Sequence, residues 1–553
     1  MVDWVSLCAM HREQCGRFGD SVALRYGADG LYHDVSWNSY RQQADRAAAG
    51  LISLGVQADD RVSLLSENRV EWLIADHAVL STGAADVPMH APLSAKQVAY
   101  QVGHSEARGI IVSGQAQADK VYEVLDELPA LEFLISFDPI EPRSDRLQTL
   151  TWQGLIHRAD DTGLPVVAER EANLDGSSLA TIIYTSGTTG NPKGVMLSHG
   201  NLLQNALSTA KISHVVMNDQ LMSWLPYSHI YARTVDHYLT STAGLTVVLA
   251  ESVEALLDNI KTVQPNWLTS VPRVYEKVWH SVTILGPDKR KDALWSVFGR
   301  NTRQLTSGGA PLPKYIAEGF YEAGIPLLEG YGLTETSPVI SFNSIESFRF
   351  GSVGQPVPGV EVRISDDGEI LTRGPHVMQG YWKNPEATAE TIVDGWLYTG
   401  DVGRLDDDGY LYITDRKKDL FVTSAGKNIA PAELERLLGR DEYIDQAVIY
   451  GDGRRFVSAL VVPDFERLDE VASERDCEVG TDGEFISTPD LVAFLDERVR
   501  AVMEQVSNPE RVKKCLYLAR PFQVEDDELT ATLKVRRRHI IARYENQLAA
   551  LYE

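Results

Sequence analysis

A short stretch rich in glycine and hydroxyl side chains follows the apolar segment LATIIY and ends in Pro192, Lys193 and Gly194. Glycines allow backbone N–H groups to approach an anion, hydroxyls add hydrogen-bond donors, and the lysine adds positive charge. These residue types in this order predict a loop that binds a polyphosphate. The binding residues would be Thr185, Ser186, Gly187, Thr188, Thr189, Gly190 and Lys193.

Two other interpretations compete for this loop. A P-loop requires the pattern GxxxxGK[ST], but the sixth position counted from Gly187 is Pro192, and Lys193 is followed by Gly194, so that pattern fails. A solvent-exposed Ser/Thr/Gly linker is the simpler alternative. It does not explain why the run of small and hydroxyl residues leads into Pro-Lys-Gly, so we favour the polyphosphate loop.

The loop must be positioned by the elements around it, and the N-terminal part of the chain alternates between two patterns. Helical periodicity in YRQQADRAAAGLISLG and ENRVEWLIADHAVLSTG alternates with short apolar runs such as RVSLLS and GIIVSG. Such alternation predicts βαβ units and a largely parallel sheet. LATIIY, LTVVLA and WLTSV continue the pattern, so we expect one large α/β region up to about residue 350.

The composition changes between residues 351 and 415, where short apolar runs are separated by Gly, Pro and Asp. This pattern predicts an antiparallel or barrel-like β region. A charge cluster at 415–419 then precedes LFVTSAGKNIAPAELERLLG, in which Pro431 suits the first turn of a helix. We therefore expect a second, small domain to begin at this cluster.

Composition excludes several classes of protein. The 553 residues are 44% hydrophobic and 24% charged, as in ordinary globular proteins, so global disorder, collagen and a coiled coil are ruled out. The 52 Lys and Arg against 78 Asp and Glu give a net charge of −26. Such a surface repels phosphate backbones, so we expect no nucleic-acid partner and no polybasic attachment to anionic lipid.

The cysteines and the apolar runs bear on the compartment. Cys8, Cys15, Cys477 and Cys515 form no CxxC pattern, which favours a reducing compartment over a disulfide framework or a zinc site. The chain contains no apolar run long enough for a transmembrane helix, and its N-terminus lacks the apolar core of a signal peptide. We therefore expect a cytoplasmic protein without a transmembrane segment.

Further motifs follow the loop in order along the chain. Together with the loop they resemble the signature motifs of the adenylate-forming superfamily, which includes acyl-CoA synthetases, the adenylation domains of peptide synthetases and luciferases. One such motif would be a weak signal, but the whole series in order is specific. The motifs are LPYSHIYAR (225–233), TSGGAPL (306–312), EGYGLTETSP (329–338), GWLYTGDVG (395–403), DRKKDLFVTSAGKNIAPAELE (415–435) and LTATLKVRR (529–537).

The resemblance implies a reaction and a fold. A carboxylate resists nucleophilic attack because it would have to expel oxide, so these enzymes first form an acyl-adenylate from ATP with Mg²⁺ and release pyrophosphate. A thiol, that of CoA in the synthetases, then displaces AMP. The implied fold is α/β, with a large N-terminal domain of mainly parallel sheets plus a β-barrel-like subdomain, and a small mobile α+β C-terminal domain. The domains would span residues 1–417 and 418–553.

The motif EGYGLTE carries several of the implied roles. By resemblance, Glu335 is the Mg²⁺ ligand, Thr334 contacts phosphate and Tyr331 stacks on adenine. One carboxylate suffices for a cation that bridges phosphates and keeps several waters. Taken alone, YGLTE and SGGAP are ordinary turn sequences. The implied nucleotide-binding set also includes Gly308, Gly309, Ala310, Glu329 and Gly332.

Three more residues take their roles from the resemblance. Asp401 in YTGD would accept from both ribose hydroxyls, and Arg416 would reach the same ribose. Without the motif, a buried structural ion pair is the default interpretation of both. His229 in LPYSHIYAR matches a position beside the acyl carboxylate and pyrophosphate, although lone histidines are more often structural.

The C-terminal motif contains the implied catalytic lysine. Relatives place this residue, here Lys534, between the carboxylate and the α-phosphate, where its charge opposes the negative charge that builds up during displacement. Without the motif, LTATLKVRRRHIIARY would be a solvated basic face. Ala531 stands where relatives commonly carry Pro. Relatives rotate this domain about the residue corresponding to Lys418, and the segment around Gly426 then lines the path of the thiol.

Other segments bear on the substrate. LLSENRVEWLIADHAVLSTG and VPRVYEKVW resemble bacterial long-chain acyl-CoA synthetases, so the implied substrate is a medium- to long-chain fatty acid. Residues 280–305 form a shorter segment than in those relatives, which leaves the chain length open. The alternatives are a fatty acyl-AMP ligase that delivers to an acyl carrier protein, a ligase for aryl or other carboxylates, and a non-catalytic nucleotide-binding protein. The intact motifs argue against the last, and peripheral membrane contact stays open.

Overall fold

Two compact units make up the chain in the computed structural model. Unit 1 comprises Met1–Val278, Val282–Arg363 and Leu371–Tyr398, and unit 2 comprises Trp279–Ser281, Ile364–Ile370 and Thr399–Glu553. From Thr399 onward the whole chain belongs to unit 2. Thr399 precedes the predicted domain boundary at 417/418, which stays a prediction. The structure describes residues 4–28, 30–159, 163–185, 191–283, 285–417, 419–424, 428–524, 526–530 and 534–553.

Unit 1 contains a nine-stranded sheet whose inner pairs are parallel and whose edge pairs are antiparallel. The segments LTVVLA and WLTSV form two strands of its centre, one on each side of a third strand at Gln220–Ser223, as the alternating pattern predicts. From one edge to the other the strands are β16 (Gln355–Pro356), β15 (Val339–Phe342), β14 (Leu327–Gly332), β13 (Gln304–Ser307), β12 (Trp267–Ser270), β10 (Gln220–Ser223), β11 (Thr246–Leu249), β1 (Val22–Ala28) and β2 (Leu31–Ser36).

A second sheet of eight strands lies in the same unit. The runs RVSLLS and GIIVSG are adjacent parallel strands in it, which confirms the prediction of βαβ units. The first two pairs, at the end that carries the predicted loop, are antiparallel, and the others are parallel. In order the strands are β19 (Gly380–Tyr381), β9 (Lys193–Ser198), β8 (Leu179–Thr185), β4 (Ala85–Met89), β3 (Arg61–Leu65), β5 (Gly109–Val112), β6 (Phe133–Ser136) and β7 (Gln148–Thr151).

Helices connect these strands, and both segments predicted from their helical periodicity are among them. Ser36 and Ser94 cap two of the helices, since each side chain accepts a hydrogen bond from an N–H of the first turn. The helices are α1 (Leu7–Phe18), α2 (Trp37–Ser53), α3 (Val70–Ser81), α4 (Ala95–Ser105), α5 (Gln115–Glu123), α6 (Trp152–Arg158), α7 (Gly163–Ala172), α8 (His199–Ser213), α9 (Ile230–Ala232), α10 (Thr240–Ala243), α11 (Leu256–Val263), α12 (Pro272–Thr283), α13 (Pro287–Phe298), α14 (Lys314–Glu322) and α15 (Pro385–Thr391). Short 3₁₀ turns lie at Leu125–Glu127 and Thr334–Thr336, and a π-helix lies at Arg233–Leu239.

A buried core supports the strand pair that carries the loop. Val195 and Leu197 of β9 pack with Ile183 of β8 and with Leu202 of α8 in one apolar cluster. Burying a side chain of this size contributes about 1.5–3 kcal/mol. The ends of β8 and β9 are therefore held in place by the interior of unit 1.

Antiparallel pairs characterise the region from 361 to 416, as its Gly-, Pro- and Asp-rich sequence predicts. Ile392 pairs with Leu397, and farther along Asp401 pairs with Arg416. The strands are β17 (Glu361–Ile364), β18 (Glu369–Arg373), β20 (Ile392–Val393), β21 (Trp396–Leu405) and β22 (Leu411–Arg416).

The C-terminal part of unit 2 packs helices on a three-stranded sheet. Pro431 is the first residue of a helix, as predicted. The helices are α16 (Pro431–Leu438), α17 (Phe465–Glu474), α18 (Pro489–Met503), α19 (Arg537–Arg543) and α20 (Glu545–Ala550), and a 3₁₀ turn lies at Asn508–Glu510. The strands are β25 (Ile444–Tyr450), β26 (Val457–Pro463) and β29 (Val512–Tyr517) in the sheet, with the pairs β23 (Phe421–Val422) and β24 (Asn428–Ile429), and β27 (Thr481–Asp482) and β28 (Phe485–Ile486). None of the helices in the described ranges has both the length and the apolar sequence to cross a bilayer.

Candidate functional site

The predicted polyphosphate loop joins two antiparallel strands. Thr185 ends β8 and lies opposite Lys193, the first residue of β9. The two ends of the loop are therefore fixed side by side. The predictions for Ser186, Gly187, Thr188, Thr189 and Gly190 fall outside the described residues and stay predictions.

The predicted metal ligand and the predicted loop lysine contact the same side chain. Glu335 lies on the 3₁₀ turn between β14 and β15, and its Oε1 accepts a hydrogen bond of 2.9 Å from the hydroxyl of Tyr381. Nζ of Lys193 lies 4.7 Å from the centroid of the Tyr381 ring. Burial, and next the carboxylate of Glu335, raise the pKa of Tyr381. The sequence motifs did not single out this tyrosine.

Backbone hydrogen bonds also connect the elements that carry Lys193, Tyr381 and Glu335. Gly380 and Tyr381 pair with Met196 and Val195 of β9. The N–H of Met378 donates to the carbonyl of Glu335 at 2.9 Å. The short strand β19 therefore connects the strand that begins at Lys193 with the turn that carries Glu335.

Tyr331 and Gly332 end the strand that leads into this turn. Gly332 lies opposite Val339 of β15, and a Cβ at this glycine would come within 1.8 Å of the carbonyl oxygen of Pro338. No side chain fits there. Thr334 follows as the first residue of the 3₁₀ turn.

The segment TSGGAPL follows β13, and a tyrosine from another motif lies against it. A Cβ at Gly308 would come within 2.8 Å of the Tyr231 ring. Gly309 has a φ of +83°, a conformation that favours glycine, and Ala310 is exposed. The segment is therefore exposed at Gly309 and Ala310, whereas Gly308 is buried against the Tyr231 ring. Its role beside the nucleobase stays a prediction.

Glu329 lies behind the same segment. Its side chain is buried, its Oε1 accepts from the N–H of Leu312 at 3.1 Å, and burial raises its pKa to about 8. The observed contact ties the segment after β13 to β14. It supports a structural role alongside the predicted nucleotide contact.

His229 caps a helix and lies next to a buried charge network. Its Nδ1 accepts from the N–H of Tyr231 at 3.2 Å, so the proton of the neutral ring is placed on Nε2. Arg233, fully buried, lies 3.0 Å from Asp86 and donates to Thr181 of β8 at 2.7 Å. The network connects the helix start at His229 to the strand that leads into the loop.

Unit 2 contains a second group of predicted residues. Asp401 is buried and lies 3.0 Å from Nε of Arg416. The N–H of Lys534 donates to Oγ1 of Thr530 at 3.0 Å, and the N–H of Thr530 donates to the carbonyl of Lys534. Burial lowers the pKa of Lys534 to about 8, with Arg416 acting in the same direction and Asp401 opposing. The structure thus brings Asp401, Arg416 and Lys534 into electrostatic contact within one unit.

The predicted hinge and thiol-path residues, Lys418 and Gly426, fall outside the described residues, as does Ala531. The neighbouring Lys417 binds Asp367 at 2.6 Å and Glu369 at 2.8 Å. The roles of Lys418 and Gly426 stay predictions.

Comparison with known proteins places the chain in a family. The sequence pattern of the AMP-binding enzyme family matches residues 11–382, and that of the AMP-binding enzyme C-terminal domain matches residues 418–553. A long-chain-fatty-acid–CoA ligase, FadD15 of Mycobacterium bovis, is 35% identical over 96% of this chain and 94% of its own length. A long-chain-fatty-acid–[acyl-carrier-protein] ligase of Arabidopsis thaliana is 27% identical over 100% of this chain and 87% of its own length.

Solved structures share the fold. An anthranilate CoA ligase in complex with anthranoyl-AMP superposes with a TM-score of 0.82 at 19% identity, covering 100% of this chain and 99% of that one. A Mycobacterium tuberculosis fatty acyl CoA synthetase gives 0.65 at 22% identity over 98% and 99%. These likenesses confirm the predicted α/β fold with a separate C-terminal domain. The chain belongs to the AMP-binding enzyme family, and with it to the adenylate-forming superfamily that its motifs resemble.

Proposed function

We propose that this protein is an acid–thiol ligase that converts a fatty acid to acyl-AMP, with release of pyrophosphate, and then transfers the acyl group to CoA. One observation of the structure carries the proposal: Lys193 of the phosphate loop and the carboxylate of Glu335 meet on Tyr381. A cationic phosphate ligand and a lone carboxylate beside it suit a nucleoside triphosphate. The identity to a long-chain-fatty-acid–CoA ligase supports a fatty acid as the acid.

In this proposal unit 1 binds the triphosphate and the acid. The loop from Thr185 to Lys193 and the hydroxyl of Thr334 hold the phosphates. His229 lies beside the reacting carboxylate. The adenine stacks on Tyr331 against the backbone of 308–310.

The donor chemistry fits a magnesium ion completed by the substrate. In the described part of the chain no three His, Cys, Asp or Glu side chains cluster as a metal site. Mg²⁺ in nucleotide sites is held by one or two carboxylates together with phosphate oxygens and water, and Glu335 supplies the one. When bound, the ion would neutralise charge on the departing pyrophosphate.

Unit 2 supplies the remaining groups. The buried carboxylate of Asp401, oriented by Arg416, accepts from the ribose hydroxyls. Lys534 stabilises the charge that develops on the α-phosphate and the acid oxygen during adenylation. Residues 418–553 form the mobile domain, which turns near Lys418 and places Gly426 on the path of the thiol.

The test is the release of AMP by the purified protein with ATP and Mg²⁺ across acetate, octanoate, palmitate and benzoate, each with and without CoA. We expect AMP release that requires both a fatty acid and CoA. Acid-dependent pyrophosphate without thioester would point to an acyl carrier protein as acceptor, which the Arabidopsis relative's name makes a specific alternative. Turnover with benzoate alone would contradict the fatty-acid assignment.

A further inference from the structure

We infer that Tyr381 is a positioning residue that sets the orientation of the Glu335 carboxylate and the path of the Lys193 side chain, and so fixes the affinity of the site for a nucleotide-bound divalent cation. The inference deepens the proposed function and rests on it for the metal role of Glu335. None of the chemistry-bearing motifs contains this tyrosine.

The hydroxyl of Tyr381 contacts the carboxylate of Glu335. A phenol is protonated at neutral pH, so the 2.9 Å contact is an O–H donor on Oε1 of Glu335. Hydrogen bonds to a charged group contribute about 1.5–3 kcal/mol. With Oε1 engaged, the carboxylate would offer Oε2 to a cation, which matches the single-oxygen ligation expected of Mg²⁺.

The ring of Tyr381 contacts the ammonium group of Lys193. Nζ of Lys193 lies within the range of a cation–π contact with the ring face. A lysine side chain has several rotatable bonds, and an aromatic surface along it restricts the directions in which the ammonium group points. The ring therefore acts on phosphate binding, whereas the hydroxyl acts on the carboxylate.

The backbone of Tyr381 is fixed enough to perform both tasks. Its N–H donates to Oγ1 of Thr388 at 2.9 Å, and the residue pairs with Val195 across β9 and β19. The N–H of the next residue, Trp382, donates to the carbonyl of Gly194 at 2.7 Å. The residue as a whole is 7% exposed. A rigid residue that contacts two flexible charged side chains positions them, rather than the reverse.

The experiment measures cation binding without turnover. Free Mn²⁺ is followed by electron paramagnetic resonance in a titration of the protein saturated with α,β-methylene-ATP, which cannot release pyrophosphate. Tyr381→Phe removes the hydroxyl and keeps the ring, so we expect the Mn²⁺ dissociation constant to rise about tenfold while metal-free nucleotide affinity is unchanged. Tyr381→Leu removes both groups and is expected to weaken Mn²⁺ and metal-free nucleotide binding.

Two control variants test the positioning role of Tyr381 separately from the metal role of Glu335. Tyr122→Phe removes a hydroxyl whose partner is Thr149, at 3.4 Å, and is expected to bind Mn²⁺ as the wild type does. Glu335→Gln is expected to weaken Mn²⁺ at least as much as Tyr381→Phe. If Glu335→Gln weakens Mn²⁺ and Tyr381→Phe does not, the inference is overturned and the metal role stands. If neither change has an effect, the metal role of Glu335 fails and the inference fails with it.

Discussion

The two groups of candidate residues are held in different ways. In unit 1, Lys193 begins a strand, Glu335 lies on the turn between two others, and Tyr381 contacts both from a further strand. In unit 2, the backbone of Lys534 makes two hydrogen bonds to Thr530, and its side chain interacts electrostatically with the ion pair of Asp401 and Arg416. The first arrangement suits a fixed binding surface for phosphates. The second suits a lysine whose protonation state depends on its burial and on the charges around it.

The two regions should be sensitive to different changes in the protein. A site built from paired strands fails when the strands are forced apart, because its side chains lose their common orientation. A site that depends on one lysine with a lowered pKa responds to pH and to its charged neighbours. The following changes test this difference.

The largest effect in unit 1 is expected from Gly332→Ala. The added Cβ would lie 1.8 Å from the carbonyl oxygen of Pro338, so β14 and β15 must shift under the turn that carries Glu335. A displacement of about 1 Å at a reacting group costs on the order of 100-fold in rate, so we expect pyrophosphate release to fall by that factor.

The control for this substitution is Gly16→Ala in α1, where the new Cβ meets no described atom within 4 Å apart from its chain neighbours and the adjoining helix backbone. We expect it to keep wild-type activity, because alanine is a better helix former than glycine. Normal activity in Gly332→Ala would show that the strand pair tolerates displacement. The fixed-surface account of unit 1 would then be wrong.

Asp401→Asn is expected to have the next largest effect. The substitution removes the charge from the buried carboxylate that pairs with Arg416. Loss of charge-assisted hydrogen bonds to a ligand costs about 10- to 100-fold in affinity. We therefore expect the KM for ATP in pyrophosphate release to rise by that range, while the Mn²⁺ requirement stays as in the wild type. A raised Mn²⁺ requirement with an unchanged KM would place Asp401 in the metal site instead.

A change of pH should have a smaller effect, and only on the step that depends on Lys534. The pKa of Lys534 is lowered to about 8, so its ammonium form predominates below this pH and is lost above it. Pyrophosphate release should fall about tenfold between pH 7 and pH 9. Thioester formation from supplied acyl-AMP should not share this decline. A profile for pyrophosphate release that rises through pH 9 would contradict the role of the lysine.

Much of the positioning framework could be predicted from the sequence. The apolar runs RVSLLS and GIIVSG are parallel strands because their length and flanking helical patterns leave few other arrangements. The loop follows LATIIY as expected, since the strand brings Thr185 to a sheet end. Pro431 begins a helix because its fixed φ and missing N–H suit the first turn.

Other features depend on tertiary contacts, which no local sequence pattern predicts. Tyr381 reaches Glu335 across 46 positions of sequence, and only the pairing of β19 with β9 brings it there. The π-helix over Arg233–Leu239 has no distinct periodicity in the sequence. Its first residue, Arg233, is fully buried and contacts Asp76, Asp86 and Thr181, which are distant in sequence.

The most direct test of the account is to measure the two half-reactions separately in Lys534→Ala. Pyrophosphate release from ATP and palmitate should fall by about 100- to 1,000-fold, because the substitution removes a charge aimed at the developing negative charge. Conversion of supplied palmitoyl-AMP and CoA to thioester should stay within about twofold of the wild type, since nothing in that step requires the ammonium group. An equal loss of both half-reactions would contradict the account.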